Sequence, residues 1–205
     1  MVIYVVGCNH GIQVEPGDPW AASDSSEQQE QRKHFAGLLE DIIKEKKIEF
    51  LGEEAGRVGE TSAGRLANKY QIPATNINTT NADKEKMGIP KGYPTGLYTN
   101  EKKEVWHRKR EQFMLQRIRK HRGEAKNLLV ICGFEHLDRL SGLLRQDGEV
   151  QRIDYRKFGW YRVASFGEYT PSHSGLGSHC LQKRGRKEMF EDFRKPRATE
   201  QTRHA

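Results

Sequence analysis

Leu128-Leu129-Val130-Ile131-Cys132-Gly133-Phe134-Glu135-His136-Leu137-Asp138-Arg139-Leu140 changes period in mid-course. A run of large apolar residues stops at a glycine, and leucines then recur at helical spacing through Leu143 and Leu144. A short apolar run ending in glycine reads as a buried strand, because the missing side chain lets the backbone turn sharply. The same arrangement opens the chain, where Ile3-Tyr4-Val5-Val6 runs into Gly7-Cys8-Asn9-His10. Two Gly-x-x-His copies therefore end two strands. In an open α/β sheet, ligands bind in the crevice outside the carboxyl ends of the strands, so His10 and His136 are expected to share a site. The alternative for each histidine is simple capping of its strand by a hydrogen bond.

Working outward, apolar residues Phe35, Leu38, Leu39, Ile42 and Ile43 mark an amphipathic helix over 27–47. Ile48 to Gly52 reads as a short strand ending in Glu53-Glu54, and Thr61 or Ser62 caps a helix that runs to Tyr70. Ile72 to Ile77 reads as another strand, 104–121 as a third helix, and Val150 to Tyr155 as the last strand after Asp147-Gly148. Strands alternating with helices specify an α/β fold, a mostly parallel sheet flanked by helices on both faces. Two segments lack periodicity: Gly11 to Ser26, a candidate lid with Trp20 as its bulky anchor, and Asn78 to Asn100, rich in Asn, Thr, Gly, Pro and Lys.

A chain of 205 residues suffices for a single domain with a real core. Hydrophobic content of 35% is below the usual share, so part of the chain is expected outside that core. The division expected is a compact domain over 1–162 and a basic, flexible tail over 163–205, with a short helix near Lys187 to Phe193. No stretch is long and apolar enough to cross a bilayer, and no basic leader precedes the first strand, so a soluble cytoplasmic protein is expected. Cys8, Cys132 and Cys180 are too few and too scattered for a disulfide framework or a zinc knuckle. A net charge of +7 favours anionic partners or substrates. The tail runs Lys183-Arg184-Gly185-Arg186-Lys187 and Arg194-Lys195-Pro196-Arg197 admit a nucleic-acid arm, although no helix-turn-helix, RNA-recognition or zinc-finger motif accompanies them.

Glu53 and Glu54 place a carboxylate at the same sheet edge as the two histidines. Two imidazoles and a carboxylate can hold a divalent ion with open positions, or act directly as bases on water. Paired glutamates can equally cap the next helix or face solvent. Arg110, Met114 and Ile118 recur every four residues with Trp106 one turn earlier, so Arg110 interrupts a buried stripe. A guanidinium there must meet a carboxylate or oxyanion, or snorkel to water, since an uncompensated buried charge costs about 3–5 kcal/mol.

Gly-x-x-His after the first strand, a strand ending in glutamate, and Arg110-Glu111-Gln112-Phe113-Met114-Leu115-Gln116-Arg117-Ile118 before a second Gly-x-x-His resemble the TraB, PrgY, Tiki and GumN proteins. The helix corresponds to their Arg-x-x-x-Met-x-x-x-Ile pattern, and the resemblance spans Ile3 to Arg156. The wider group includes ChaN-like and erythromycin-esterase-like proteins. The chain departs from the family in its short length, its lack of membrane segments and the Glu111 that stands where asparagine is more frequent.

The resemblance implies a metal-dependent hydrolase that cleaves peptide or amide bonds with manganese or cobalt. His10 and His136 would be metal ligands or bases, Glu53 or Glu54 the ligand or general base, and Arg110 the stabiliser of a developing oxyanion. The alternatives are a metal-independent esterase-like hydrolase, or a non-catalytic protein that sequesters a peptide or anionic small molecule in the same pocket. The sequence assigns neither a substrate nor an oligomeric state.

Overall fold

The structure, a computed structural model, describes residues 1–14, 25–55, 61–90 and 99–159. The expected tail, its short helix, its boundary near residue 162, and the Trp20 segment of the expected lid lie outside the described residues. Five strands, β1 (Val2–Cys8), β2 (Phe50–Glu53), β3 (Ala74–Asn76), β4 (Asn127–Gly133) and β5 (Glu149–Asp154), form a single sheet in the order β3-β2-β4-β1-β5. Every pairing is parallel. The helices are α1 (His10–Gln13), α2 (Ser26–Lys46), α3 (Ser62–Tyr70), α4 (Asn81–Lys86), α5 (Asn100–His121) and α6 (Phe134–Leu144), and a 3-10 turn at Tyr155–Lys157 succeeds β5. This is the expected α/β architecture.

The strand order explains the coverage of both faces. From β1 the chain steps to β2 and then to β3 at one edge; it then reverses, inserting β4 between β2 and β1 before β5 closes the other edge. Right-handed crossovers put helices on opposite faces when the direction of travel reverses. Accordingly α2 and α3 pack on one face, where Phe35, Leu39, Ile42 and Leu66 meet Tyr4, Val6, Leu129 and Ile131. The other face receives α5 and α6, whose Met114, Ile118, Leu137 and Leu140 meet Ile3, Val5, Leu128 and Val130.

Local chemistry sets the element ends. Ser25 caps α2 with a reciprocal bond from Gln28, and the helix stops at Lys47, whose φ of 50° is left-handed. Thr61 caps α3, as expected. Beyond shifts of a few residues at element ends, three elements differ from the sequence expectation, the first being α1, a single turn inside the segment expected as a lid. Thr99 caps α5 and starts it a turn ahead of Glu104, and a Thr80–Asp83 capping box nucleates α4 inside the segment that lacks periodicity. No residue of α4 is buried, so no apolar stripe announces it.

Candidate functional site

The two Gly-x-x-His copies end the adjacent central strands β1 and β4, with Cys8 paired to Gly133. Their helices then diverge. Asn9 caps a single turn through a 2.8 Å bond from the Gly11 N–H, which places His10 at the start of α1 with its side chain 46% exposed. Gly133 instead leads straight into α6, so His136 lies in the first turn of a long helix and is fully buried. Each glycine makes room for the other copy. A Cβ on Gly7 would lie 2.7 Å from Leu137 Cδ2, and one on Gly133 would lie 3.0 Å from His10 Nε2.

Strand alternation separates the paired glutamates. Phe50 packs on the α5 face and Leu51 on the α2 face, so the next odd and even positions divide likewise. Glu53 turns to the α3 side and accepts a 2.6 Å bond from the Thr61 hydroxyl. Its burial raises its carboxyl pKa to about 7, against the Thr61 bond that lowers it. Glu54 continues the ladder through its N–H to Ile131 O at 2.8 Å and delivers its carboxylate to the α5 side. There Arg110 donates to Oε1 and the Gly133 N–H donates to Oε2 at 2.8 Å. Arg110 therefore meets a buried carboxylate, and of the two glutamates only Glu54 joins it.

Both histidines converge on the same oxygen. His10 Nε2 is 3.8 Å from Glu54 Oε1, and His136 Nε2 is 3.5 Å from it. Their other ring nitrogens are held by acceptors: His10 Nδ1 by Gln13 Oε1 at 2.9 Å, and His136 Nδ1 by Glu111 Oε1 at 2.9 Å. A proton on each Nδ1 leaves each Nε2 with a lone pair facing the crevice when the ring is neutral. Arg139 holds Glu111 in turn, at 3.1 Å, and also pairs with Glu104. This chain of partners fixes the His136 ring, in the manner of the carboxylates that orient metal-bound histidines.

His136 Nε2 is buried and, among the described residues, has no hydrogen-bond partner. Besides Glu54, Glu135 Oε1 lies 3.5 Å from it. His107, one turn before Arg110 on α5, stacks at a tilt with its centroid 5.1 Å from that of His136. Burial lowers the His107 pKa, with Glu135 opposing. Ligand atoms of His107, Glu135 and His136 lie within 4.8 Å of one another, a group that could hold a metal ion. His10 and Glu53 stand outside that group. Bonds of about 2 Å to an ion put tetrahedral ligands roughly 3.4 Å apart, close to the spacings around His136 Nε2.

Cys8 and Cys132 are buried, and burial pushes both thiols well above their ordinary pKa. They are packing residues rather than nucleophiles. Glu111, His107 and Glu135 carry no role in the sequence expectation. Their signal was nevertheless present, since His107, Arg110 and Glu111 fall at i, i+3 and i+4 on one helical face. The chain has no significant match among protein-family models, curated proteins or solved structures. Among the described residues no helix is long and apolar enough to cross a membrane.

Proposed function

We propose that this chain is a metal-dependent hydrolase of the TraB/Tiki-like kind, acting on peptide or amide bonds. The observation that carries the reading is the buried Nε2 of His136, which has no hydrogen-bond partner among the described residues and lies 3.5 Å from a carboxylate oxygen of Glu54 and of Glu135. Electron-pair donors facing one another without a shared proton are unfavourable unless a cation lies among them. The donor set therefore fits a divalent ion, held by His136 with Glu135 and His107; manganese or cobalt is the choice that the family resemblance favours. Such an ion supplies Lewis acidity, polarising a carbonyl and acidifying a water.

The chain's own groups divide the remaining work. His10, half-exposed at the crevice mouth with Nδ1 held by Gln13, takes a proton at Nε2. Glu54, fixed by Arg110 and the Gly133 N–H, stands beside His10 to stabilise the imidazolium so formed. Arg110, whose NH1 is 3.8 Å from Glu135, supplies a positive charge for a developing oxyanion. Glu111 orients His136 and does not touch substrate.

The Glu111–His136 pair alone also resembles a carboxylate–imidazole general base, which supports the metal-independent alternative. Titration of the purified full chain with Mn2+ and Co2+ by calorimetry, and then a panel of amide and ester substrates, tests both. Stoichiometric binding lost in Glu135→Gln, with metal-dependent turnover lost in His10→Ala, is expected. Turnover unaffected by chelation would move the reading to the metal-free mechanism, and no turnover with either ion would leave a binding protein.

A further inference from the structure

Helix α5 divides its charges by face. From Val105 to His121 its one acidic residue is Glu111, which is buried and bound to His136 and Arg139. The exposed positions of that stretch, Arg108, Lys109, Arg119 and Lys120 among them, therefore carry no carboxylate. The end of α4 is fastened against this helix, because Lys109 Nζ donates to Met87 O at 2.6 Å and the buried Ile89 N–H returns to Lys84 O at 2.8 Å. A groove of about 520 Å³ lies between the two elements. Lys86, Arg108 and Lys109 line it as cations, Gln112 and Gln116 as amides, and the half-buried Phe113 as an aromatic ring. Among the described residues no acidic side chain lines it, and none of the crevice residues does either.

The cations of this groove are poorly compensated. Arg108 reaches Glu104 only at 3.3 Å on the surface, and Glu104 also pairs with Arg139. An exposed pair of that kind is worth at most about 1 kcal/mol, so it opens readily for a better anion. Lys109 donates to a carbonyl, which leaves its charge unneutralised. Arg117 adds a further cation, its guanidinium 5.6 Å from the centre of the Phe113 ring. On α4, Asp83 is engaged by the Thr80 cap and does not line the groove. Cations set around a ring and two amides match a polyanion that also carries flat bases. Phosphates take the cations, a base stacks on the aromatic face, and amide groups hydrogen-bond base edges. An acidic peptide would answer the cations but offers the ring and the amides no planar partner.

We propose that the groove between α4 and α5 binds a single strand of nucleic acid, with phosphates at Lys86, Arg108 and Lys109 and a base against Phe113. This surface is separate from the crevice, and its occupancy does not depend on the hydrolase reading. Nor does it use the basic tail runs, which lie outside the described residues.

The test is fluorescence anisotropy of the full chain with labelled oligothymidylate and oligouridylate of about 12 nucleotides, across roughly 50–200 mM salt. Wild type is expected to bind at least one of the two, the tighter identifying the sugar, and affinity should fall steeply with salt. Lys86→Gln with Arg108→Gln, both at exposed positions, should weaken binding about tenfold and flatten the salt slope by roughly 0.7 per contact removed. Phe113→Leu should cost about fivefold with the salt slope unchanged, since stacking displaces no counterions. Lys183→Gln with Arg184→Gln removes the same charge from the tail and should cost less than the groove pair. Equal or larger losses in the tail pair, no binding by wild type, or competition by polyglutamate as effective as by unlabelled oligonucleotide would each overturn the proposal. A duplex that binds as tightly as the single strand would do the same, because its stacked bases cannot reach Phe113.

Discussion

The two Gly-x-x-His copies share a spacing and end neighbouring strands, yet the structure makes different groups of their histidines. His10 begins a single turn whose cap is an asparagine side chain, and its ring is half in solvent. His136 is inside an eleven-residue helix packed on the sheet, fully buried and tied through Glu111 to Arg139. The length and burial of the helix behind each motif decide its chemistry. A one-turn helix leaves an imidazole open to water, whereas a long buried helix holds one in a fixed orientation away from it.

The largest break in this comparison should come from the buried copy. His136→Ala leaves the Glu111 carboxylate buried beside a cavity, so it should cost about 3–5 kcal/mol in urea unfolding and abolish metal binding. The equivalent change at His10 should stay within about 0.5 kcal/mol while removing turnover. Similar stability losses in the two variants would erase the distinction. Glu111→Gln is the gentler probe of the buried copy and should weaken metal affinity roughly 10–100-fold in calorimetry, with the fold retained.

The glycines sharpen the same contrast. Gly7→Ala drives a methyl to 2.7 Å from Leu137 Cδ2 in the core, and should cost about 1–3 kcal/mol by thermal unfolding. In Gly133→Ala the clash is with His10 Nε2, the far end of an exposed side chain. The ring can swing away, so activity should fall more than stability does.

Glu53 gives the cleanest sign. Its carboxyl titrates near 7 in the folded protein, against an ordinary value of 4.5. Between those values the unfolded chain has lost a proton that the folded chain keeps. Stability from this group is therefore full below pH 4.5, falls as pH rises to about 7, and is level above it; the whole drop is on the order of 3 kcal/mol. Glu53→Gln should flatten that slope in denaturation curves at pH 5 and pH 8, and a slope that persists would assign it to another group.

Much of this organisation was legible in the chain. The glycine endings, the helical leucines and the arginine on an apolar stripe placed His10, His136 and Arg110 on their elements. The choice between Glu53 and Glu54 was not legible, and β2 shows why. Phe50 and Leu51 are both apolar because the strand is buried on both faces, so alternation carries no clue to direction. Likewise α4 buries no residue, so no apolar period announced it, and Glu111 was visible only through its helical spacing from His107 and Arg110 and as a departure from the pattern of the resembled proteins.

The sequence by itself determined the order of the five strands and of α2, α3, α5 and α6, and it placed His10, His136 and Arg110 on them, because apolar period, caps and glycines act over a few neighbouring positions. Only the tertiary structure decided that β4 lies between β2 and β1. That placement brings the Gly133 N–H to Glu54 and sets both Nε2 atoms around one of its oxygens. Strand neighbours are chosen by hydrogen bonds between segments far apart in the chain, and by the handedness of the crossovers that join them, neither of which any local pattern encodes.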